Sequence, residues 1–255
     1  MSPLVYFMHS STKPFPNSDL PNIDGKAKCN ACETLERCVS NWLDRALIRH
    51  IYPILEFCGP TEAGEAIYRK GDTVESLLIV RSGSVRVLKP LGGNSYDVEG
   101  FYFPGDLFSL CALDEKVQEY DVFSLKETVI CQLPLKYLES IGSSFPRFQQ
   151  LLVSELTAMI RRQSQRLYSE RHLSAEDRVR LFLKSIFERN LEEIVKNRGR
   201  FALPMTKRDI AFFLGMSPES LSRILKELEA QGVINNHFNH IVFRDIKQIM
   251  HSTVI

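Results

Sequence analysis

The sequence lacks the features that mark membrane proteins, secreted proteins and most enzymes. No apolar run among its 255 residues approaches the roughly 20 residues that a membrane-spanning helix needs. The N-terminus lacks a basic region followed by a long apolar one, so we expect a cytoplasmic protein without a secretory signal. No Gly-rich phosphate loop, nucleophile elbow or pair of candidate catalytic carboxylates is evident, which argues against an enzyme.

Net charge is almost absent as well, since 32 basic and 31 acidic side chains leave +1. This balance hides an asymmetry between the two parts of the chain. Residues 1–160 hold 15 Lys and Arg against 20 Asp and Glu, a net of −5, whereas residues 161–255 hold 17 against 11, a net of +6. A basic C-terminal part suits a domain that faces phosphates. The length suggests about two domains.

The most informative stretch, residues 204–243, has the pattern of a helix-turn-helix followed by a β-wing. Thr206 is the predicted N-cap of a short helix that ends near Leu214, and Gly215 permits a tight turn. Ser217 caps a second helix, and Pro218 takes its first position, where the missing N–H does no harm. Two strands at 233–234 and 240–243 are predicted to form the wing.

The second helix has an inward apolar face and an outward polar one. Glu219, Ser222 and Arg223 fall at i, i+3 and i+4, so they share the outward face. Arginine can donate two hydrogen bonds to guanine, a carboxylate can accept one from cytosine, and a serine hydroxyl can do either. We therefore predict a recognition helix that reads double-stranded DNA in the major groove.

Cysteine is scarce, at six residues, yet half of the six cluster near the N-terminus. Cys29, Cys32 and Cys38 form C-x2-C-x5-C behind a Pro-containing arm at 1–28. Disulfides rarely persist in the cytoplasm, and thiolates are soft ligands that suit iron–sulfur clusters, zinc(II) and copper(I). The candidates for a fourth ligand are Cys58, Cys111 and Cys131.

The residue pattern changes twice in the middle of the chain. Short β-branched and aromatic runs cut by glycine between about 64 and 134 predict a β-barrel or β-roll. Its predicted strands are 76–81, 85–88, 96–103, 120–125 and 129–133. From 145 to about 172, apolar residues recur at three- and four-residue steps, which predicts a long helix that pairs in a homodimer. The residues assigned to that contact are Leu152, Leu156, Met159, Ile160, Gln163 and Leu167. Ser174 is the predicted cap of the next helix.

In this order of parts, the chain resembles the cyclic AMP receptor superfamily of bacterial transcription regulators. More narrowly, it resembles the oxygen-sensing fumarate and nitrate reduction regulator (FNR) family. The resemblance implies an α+β fold with an N-terminal β-roll like a cyclic-nucleotide-binding jelly roll, a long dimerisation helix and a C-terminal winged helix-turn-helix. The expected parts are a flexible arm at 1–28, the cysteine segment and β-roll at 29–144, the dimerisation helix at 145–172 and the DNA-binding domain at 173–255.

The resemblance also implies the ligands and the DNA target. In the FNR family, three N-terminal cysteines with this spacing and a fourth in the β-roll hold a [4Fe–4S] cluster. The fourth precedes an apolar-Pro step, which here reads VICQLP and hence Cys131. The family's E-x-x-S-R motif matches Glu219, Ser222 and Arg223 and implies an inverted repeat of TTGAT-like half-sites. The implied protein is an activator that dimerises and binds DNA without oxygen; a structural zinc(II) site with a different effector is the alternative.

The region that holds cyclic phosphate in related proteins departs from their pattern. Cyclic-nucleotide binders carry a Gly-Glu pair and then an Arg-Ser/Thr pair. Here the first reads Gly105-Asp106, and Glu119 and Asp121 stand where a phosphate needs an arginine. Carboxylates repel a phosphate, so we expect no cyclic nucleotide. Activation would need a surface for RNA polymerase, and the predicted hairpin at 89–96 is the candidate.

Overall fold

The computed structural model describes residues 51–93, 95–114, 117–245 and 248–249, with the backbone alone at 111 and 112. The predicted arm and the predicted ligands Cys29, Cys32 and Cys38 lie outside the described residues. Within the described ranges, no helix combines the length and the apolar character needed to cross a bilayer.

Eight strands in the first part of the described chain form two four-stranded antiparallel sheets. They are β1 (Glu56–Thr61), β2 (Ala66–Tyr68), β3 (Ser76–Ser82), β4 (Val85–Gly92), β5 (Ser95–Tyr102), β6 (Leu107–Phe108), β7 (Asp121–Ser124) and β8 (Thr128–Pro134). The sheets have the orders β1-β8-β3-β6 and β2-β7-β4-β5. The five predicted strands are confirmed, and β1, β2 and β6 are additional. Between the sheets lies an apolar interior that includes Leu78, Val85 and Ile130, so this part is a β-roll.

The turn between β3 and β4 depends on a glycine. Gly83 has a φ of +87°, and a Cβ there would overlap Glu127 and Thr128, where the preceding turn leads into β8. A residue without a side chain is therefore required at this close approach of two turns. The predicted turn at Ser82-Gly83 is confirmed.

Six α-helices follow within the described residues. They are α1 (Leu138–Ser144), α2 (Pro146–His172), α3 (Ala175–Arg189), α4 (Leu191–Lys196), α5 (Lys207–Phe213) and α6 (Pro218–Ala230). The long helix α2 begins at Pro146, because a proline ring is tolerated in a first helical turn and Phe145 has the non-helical φ of −136°. Ser174 caps α3 as predicted, since its Oγ accepts from the Asp177 N–H at 3.1 Å.

The last part of the described chain is a winged helix-turn-helix. Three short antiparallel strands, β9 (Arg200–Ala202), β10 (Ile234–Asn236) and β11 (His240–Phe243), form a sheet in the order β10-β11-β9. The predicted wing hairpin is confirmed as β10 and β11. The third strand, β9, was not predicted.

A shared apolar core joins the β-roll to the helix-turn-helix. The Phe101 ring of β5 lies 5.4 Å from the Phe213 ring of α5 and 6.3 Å from the Phe182 ring of α3, between ring centroids. Phe103 and Val98 of the roll belong to the same cluster. The position of the helix-turn-helix is thus fixed against the sheet that contains β4 and β5.

Candidate nucleic-acid interface and sensor face

The predicted DNA-reading residues lie on the exposed face of α6. Glu219, Ser222 and Arg223 are all exposed. The opposite face of the helix is almost completely buried, and it consists of Leu221, Ile224, Leu225 and Leu228. The apolar face therefore holds α6 in place while the three polar side chains remain available to a ligand.

Two other predicted DNA-binding residues serve as helix caps. Thr206 Oγ1 accepts from the Asp209 N–H at 3.0 Å, and Ser217 Oγ accepts from the Ser220 N–H at 3.2 Å. Gly215, with a φ of +62°, makes the turn between the two helices. The caps predicted for Thr206 and Ser217 are confirmed, and they set where each helix of the motif starts.

The wing is anchored to both helices of the helix-turn-helix motif. Lys207 Nζ, at the start of α5, donates to Asn236 Oδ1 at 2.8 Å. The Asn236 N–H donates to Glu229 Oε1 of α6 at 2.9 Å. Burial lowers the pKa of Lys207, and the nearby Glu229 carboxylate partly offsets that effect. These contacts hold the wing in a fixed position relative to the start of α5 and to α6.

Strand β8 places neighbouring residues on opposite faces of its sheet. Cys131 lies opposite Phe57 of β1 and Ile79 of β3, whereas Ile130 lies opposite Cys58. Because side chains alternate along a strand, Cys58 and Ile130 face the roll interior and Cys131 faces the outer side. Cys131 is half-buried on that outer face.

The two remaining cysteines of the roll differ in their suitability as ligands. Cys58 is 2% exposed, and burial raises the pKa of its thiol to about 11. A neutral buried thiol is a poor metal ligand, since the thiolate is the ligating form. Cys111 lies in the 3-10 turn Leu110–Leu113. Leu110 packs with Leu77 and Leu133 in an apolar cluster on the outer face, called here the outer cluster. Cys111 therefore stays a rival to Cys131 as the fourth ligand.

The described chain begins on the outer, Cys131 side of the roll. Ile51 packs with Leu77 and Leu133 in a cluster on this face, and Ile54 joins its edge. Cys38 precedes Ile51 by 13 positions, a length of chain that spans at most about 45 Å when extended. The described chain therefore starts on the face that carries Cys131, and the predicted cysteine segment precedes this point in the sequence.

The long helix α2 has an exposed apolar ridge. Val153, Ile160 and Leu167 recur at intervals of seven residues and are 62%, 64% and 55% exposed. Of the predicted dimer residues, Ile160 and Leu167 lie on this ridge. The other four face the chain's own roll: Leu152, Leu156 and Met159 pack at the edge of the outer cluster, and Gln163 donates to Glu99 Oε1 at 2.6 Å.

Val153, the third residue of the ridge, was not among the residues predicted for the dimer contact. The seven-residue repeat was the available signal for the ridge, since that spacing marks a pairing face.

The carboxylates near the expected cyclic-phosphate position are engaged by the chain itself. Asp106 accepts from the Phe103 N–H at 2.8 Å and forms an ion pair with Arg189 of α3. Asp121 accepts from the Lys70 N–H at 2.8 Å. The roll interior nearby contains Tyr102, and burial raises the pKa of its hydroxyl to about 12.

Two protein-family models match this chain. Residues 177–251 match the Crp-like helix-turn-helix domain, and residues 60–144 match the cyclic nucleotide-binding domain. The match to the cyclic nucleotide-binding domain concerns the fold and the evolutionary relationship of residues 60–144.

Similar proteins cover most of the chain. It is 26% identical over 213 residues to the "Transcriptional activator protein FnrA" of Stutzerimonas stutzeri, across 82% of this chain and 85% of that protein. It is 23% identical over 207 residues to the "Fumarate and nitrate reduction regulatory protein" of Yersinia pestis, across 81% and 82%. The structure of FixK2 from Bradyrhizobium japonicum superimposes with a TM-score of 0.65 at 23% identity, across 79% of this chain and 97% of FixK2.

The order of the domains, the exposed recognition helix and the relatives agree. They identify a DNA-binding regulator rather than an enzyme, and the architecture implies a dimer. The chain belongs to the Crp/FNR family of transcription regulators.

Proposed function

We propose that this chain is an oxygen-responsive activator of transcription that holds a [4Fe–4S] cluster through Cys29, Cys32, Cys38 and Cys131. When oxygen is absent, two copies of the chain would form a dimer that binds an inverted repeat of TTGAT-like half-sites. The observation that carries the proposal is the position of Cys131, half-buried on the same face of the roll as Ile51, where the described chain begins. Relatives named as anaerobic and as fumarate and nitrate reduction regulators support it.

The donor set fits such a group. Four thiolates are the usual protein ligands of a [4Fe–4S] cluster, which when bound supplies a redox-sensitive cross-link that oxygen destroys. The register of β8 favours Cys131 over Cys58, because Cys58 lies in the roll interior with a raised pKa. Apolar neighbours such as Ile79 and Leu133 would limit access of water to the sulfur of Cys131.

The outer cluster links the proposed ligand face to the start of the long helix. Leu133, two residues after Cys131, packs in one cluster with Ile141 of α1 and with Phe148 and Leu151 of α2. An N-terminal segment held on this face would add contacts to the same cluster and stiffen the base of α2. The exposed ridge is the surface on which two copies of α2 would pair.

Dimerisation would place two α6 helices on the two half-sites. Recognition helices of a two-fold dimer bind half-sites about one helical turn of DNA apart. On each, Arg223 would donate to a guanine, while Glu219 and Ser222 read neighbouring base edges. A single subunit has half of these contacts, so loss of the dimer would collapse the affinity.

Two further assignments complete the proposal. We expect no cyclic nucleotide to act as the effector, because Glu119 and Asp121 stand where a phosphate would need an arginine. We expect the β4–β5 hairpin to contact RNA polymerase, since Lys89 and Leu91 are exposed at its end.

The test is to purify the protein without oxygen and to measure iron, acid-labile sulfide and the visible spectrum before and after air is admitted. About four iron and four sulfide per chain, lost in air, is the expected result. Cys131→Ser should lose the iron, whereas the matched control Cys58→Ser should keep it. Full iron in Cys131→Ser, with loss in Cys111→Ser instead, would reassign the fourth ligand. A colourless protein with stoichiometric zinc would overturn the cluster.

A further inference from the structure

The tip of the wing presents an aromatic side chain fully to water. The His237 N–H donates to the His240 carbonyl at 3.0 Å and closes the hairpin, which leaves Phe238 and Asn239 at its tip. Phe238 is 96% exposed, more than any other large apolar side chain of the described residues. Single exposed apolar residues are common on protein surfaces, so the position of Phe238 decides whether it has a role.

The anchoring of the wing places this tip beside the expected path of DNA. In helix-turn-helix proteins the second helix lies in the major groove while the first crosses the backbone. Lys207 and Arg208 open the first helix, α5, and Lys207 holds Asn236. Phe238 follows two residues later, so it projects from the point where the duplex backbone would pass. Beyond that backbone strand lies the minor groove that flanks the half-site.

The surroundings of Phe238 match the chemistry of that groove. The rings of His237 and His240 are stacked, with centroids 4.3 Å apart. The Asn239 amide and the two imidazoles beside Phe238 carry N–H groups that can donate, and His240 Nδ1 lies 3.2 Å from Asn239 Oδ1. The minor groove presents acceptors on adenine and thymine. An apolar ring flanked by donors is the composition of side chains that wedge between base steps.

We propose that Phe238 enters the minor groove beside each half-site, partly unstacks one base step and bends the duplex. The inference rests on the proposed binding to an inverted repeat and deepens it by assigning the wing tip a contact with the base stack. Each dimer carries two such wedges. Flexible pyrimidine–purine steps in the flanks should therefore favour binding, although α6 does not touch them.

The test compares Phe238→Ala with the matched control Val195→Ala, which removes a 65% exposed side chain from α4. The probe is a duplex with two TTGAT half-sites in inverted repeat and 2-aminopurine at successive flanking positions. Binding is measured by anisotropy and bending by energy transfer between the duplex ends. The protein is the full chain, purified without oxygen.

The expected result is that Phe238→Ala weakens binding on the order of tenfold, as removal of a base-stacking aromatic does. It should also reduce the bend and abolish the rise in 2-aminopurine fluorescence. The slope of affinity against salt should not change, because no phosphate contact is lost. Phe238→Met, an apolar replacement, should keep the bend, and Val195→Ala should behave as the wild type.

Three outcomes would overturn the wedge. Equal affinity and bending in Phe238→Ala would remove it while leaving the proposed DNA target intact. Weaker binding with an unchanged bend and an unchanged 2-aminopurine signal would assign Phe238 to the backbone instead. Failure of the wild type to bind the duplex would overturn both the wedge and the proposed target.

Discussion

A buried ion pair couples the β-roll to the first helix of the DNA-binding motif, and its removal should destabilise the protein. Arg86 Nη1 of β4 lies 2.7 Å from Asp209 Oδ2 of α5. Tyr96 Oη donates to the other carboxylate oxygen at 3.3 Å, and Thr206 Oγ1 donates to Oδ2 at 2.8 Å. The Asp209 side chain is 1% exposed and that of Arg86 is 24% exposed. The carboxylate thus depends on partners from both parts of the chain.

Arg86→Met and Asp209→Asn should lower the free energy of unfolding by different amounts. Arg86→Met leaves the Asp209 charge buried, and breaking a buried pair in this way costs roughly 3–5 kcal/mol. We expect about 3 kcal/mol, the lower end, because Tyr96 and Thr206 still donate to the carboxylate. Asp209→Asn removes the charge and leaves an arginine that reaches water, so its cost should be about 1–2 kcal/mol.

Urea unfolding followed by circular dichroism measures these losses as shifts of the midpoint at constant slope. The matched control is Arg69→Met. Arg69 and Arg86 both stack over the Phe123 ring, at 4.5 and 5.4 Å, so both variants lose a cation–π contact. The Arg69 partner is Asp121 at 3.7 Å, and the Arg69 side chain is 57% exposed. An exposed pair of this kind is worth below about 1 kcal/mol.

Equal losses in Arg86→Met and Arg69→Met would refute this reasoning, because burial of the carboxylate would then carry no weight. A double variant, Arg86→Met with Asp209→Asn, should lose less than the sum of the two single losses. Strict additivity would show that the two side chains do not interact in solution.

Four other predictions follow from the described contacts. Arg223→Ala should weaken DNA binding by roughly 1–3 kcal/mol and relax one base position, measured against duplexes with single base changes; unchanged base preference would remove Arg223 from base reading. Ile160→Glu on the exposed ridge should shift the protein toward monomers in sedimentation, whereas Val195→Glu, at a 65% exposed position on α4, should not. Gly83→Ala should cost at least about 2 kcal/mol in urea unfolding, because the φ of +87° and the overlap with the next turn both oppose a side chain; Gly93→Ala, at a φ of +59° in open space, should cost about 1 kcal/mol. The Cys58 thiol, with a pKa raised from 9.0 to about 11, should react slowly with a disulfide reagent at pH 8. Between about pH 9 and 11 the folded chain keeps the Cys58 proton that the unfolded chain releases. The free energy of unfolding should therefore fall as pH rises from about 9 to about 11. In Cys58→Ala, this pH dependence of the free energy of unfolding should be absent.

Local chemistry made several elements of the fold predictable. Caps and turns such as Thr206, Ser217 and Gly215 act within four residues, so the sequence pattern fixes the helix-turn-helix closely. The roll strands could be located because glycine turns separate runs of β-branched and aromatic residues. Strand β9, Arg200–Ala202, escaped prediction because three residues are too few to show an alternating pattern.

Contacts between distant parts of the chain were not predictable from the same signals. Arg86 and Asp209 are 123 positions apart, and neither has a local pattern that names its partner. The strand around Cys131 was predicted, but the face on which the thiol lies follows from its pairing with Phe57 and Ile79. On α2, apolar spacing alone did not separate the side that packs on the roll from the exposed ridge.

The proposed pairing of α2 would also make the regulator sensitive to its own concentration. From Ile160 to His172, a span of 13 residues, most side chains of α2 are exposed, with Arg166 and Ser169 the half-buried positions. This segment contacts the roll through polar side chains such as Gln163, and a helix of this length with little apolar packing is marginal in water. We expect the end of α2 to fray on dilution and to become ordered as a second copy covers the ridge. Association would then complete the helix that leads into the DNA-binding domain, and the amount of protein in the cell would help to set its response.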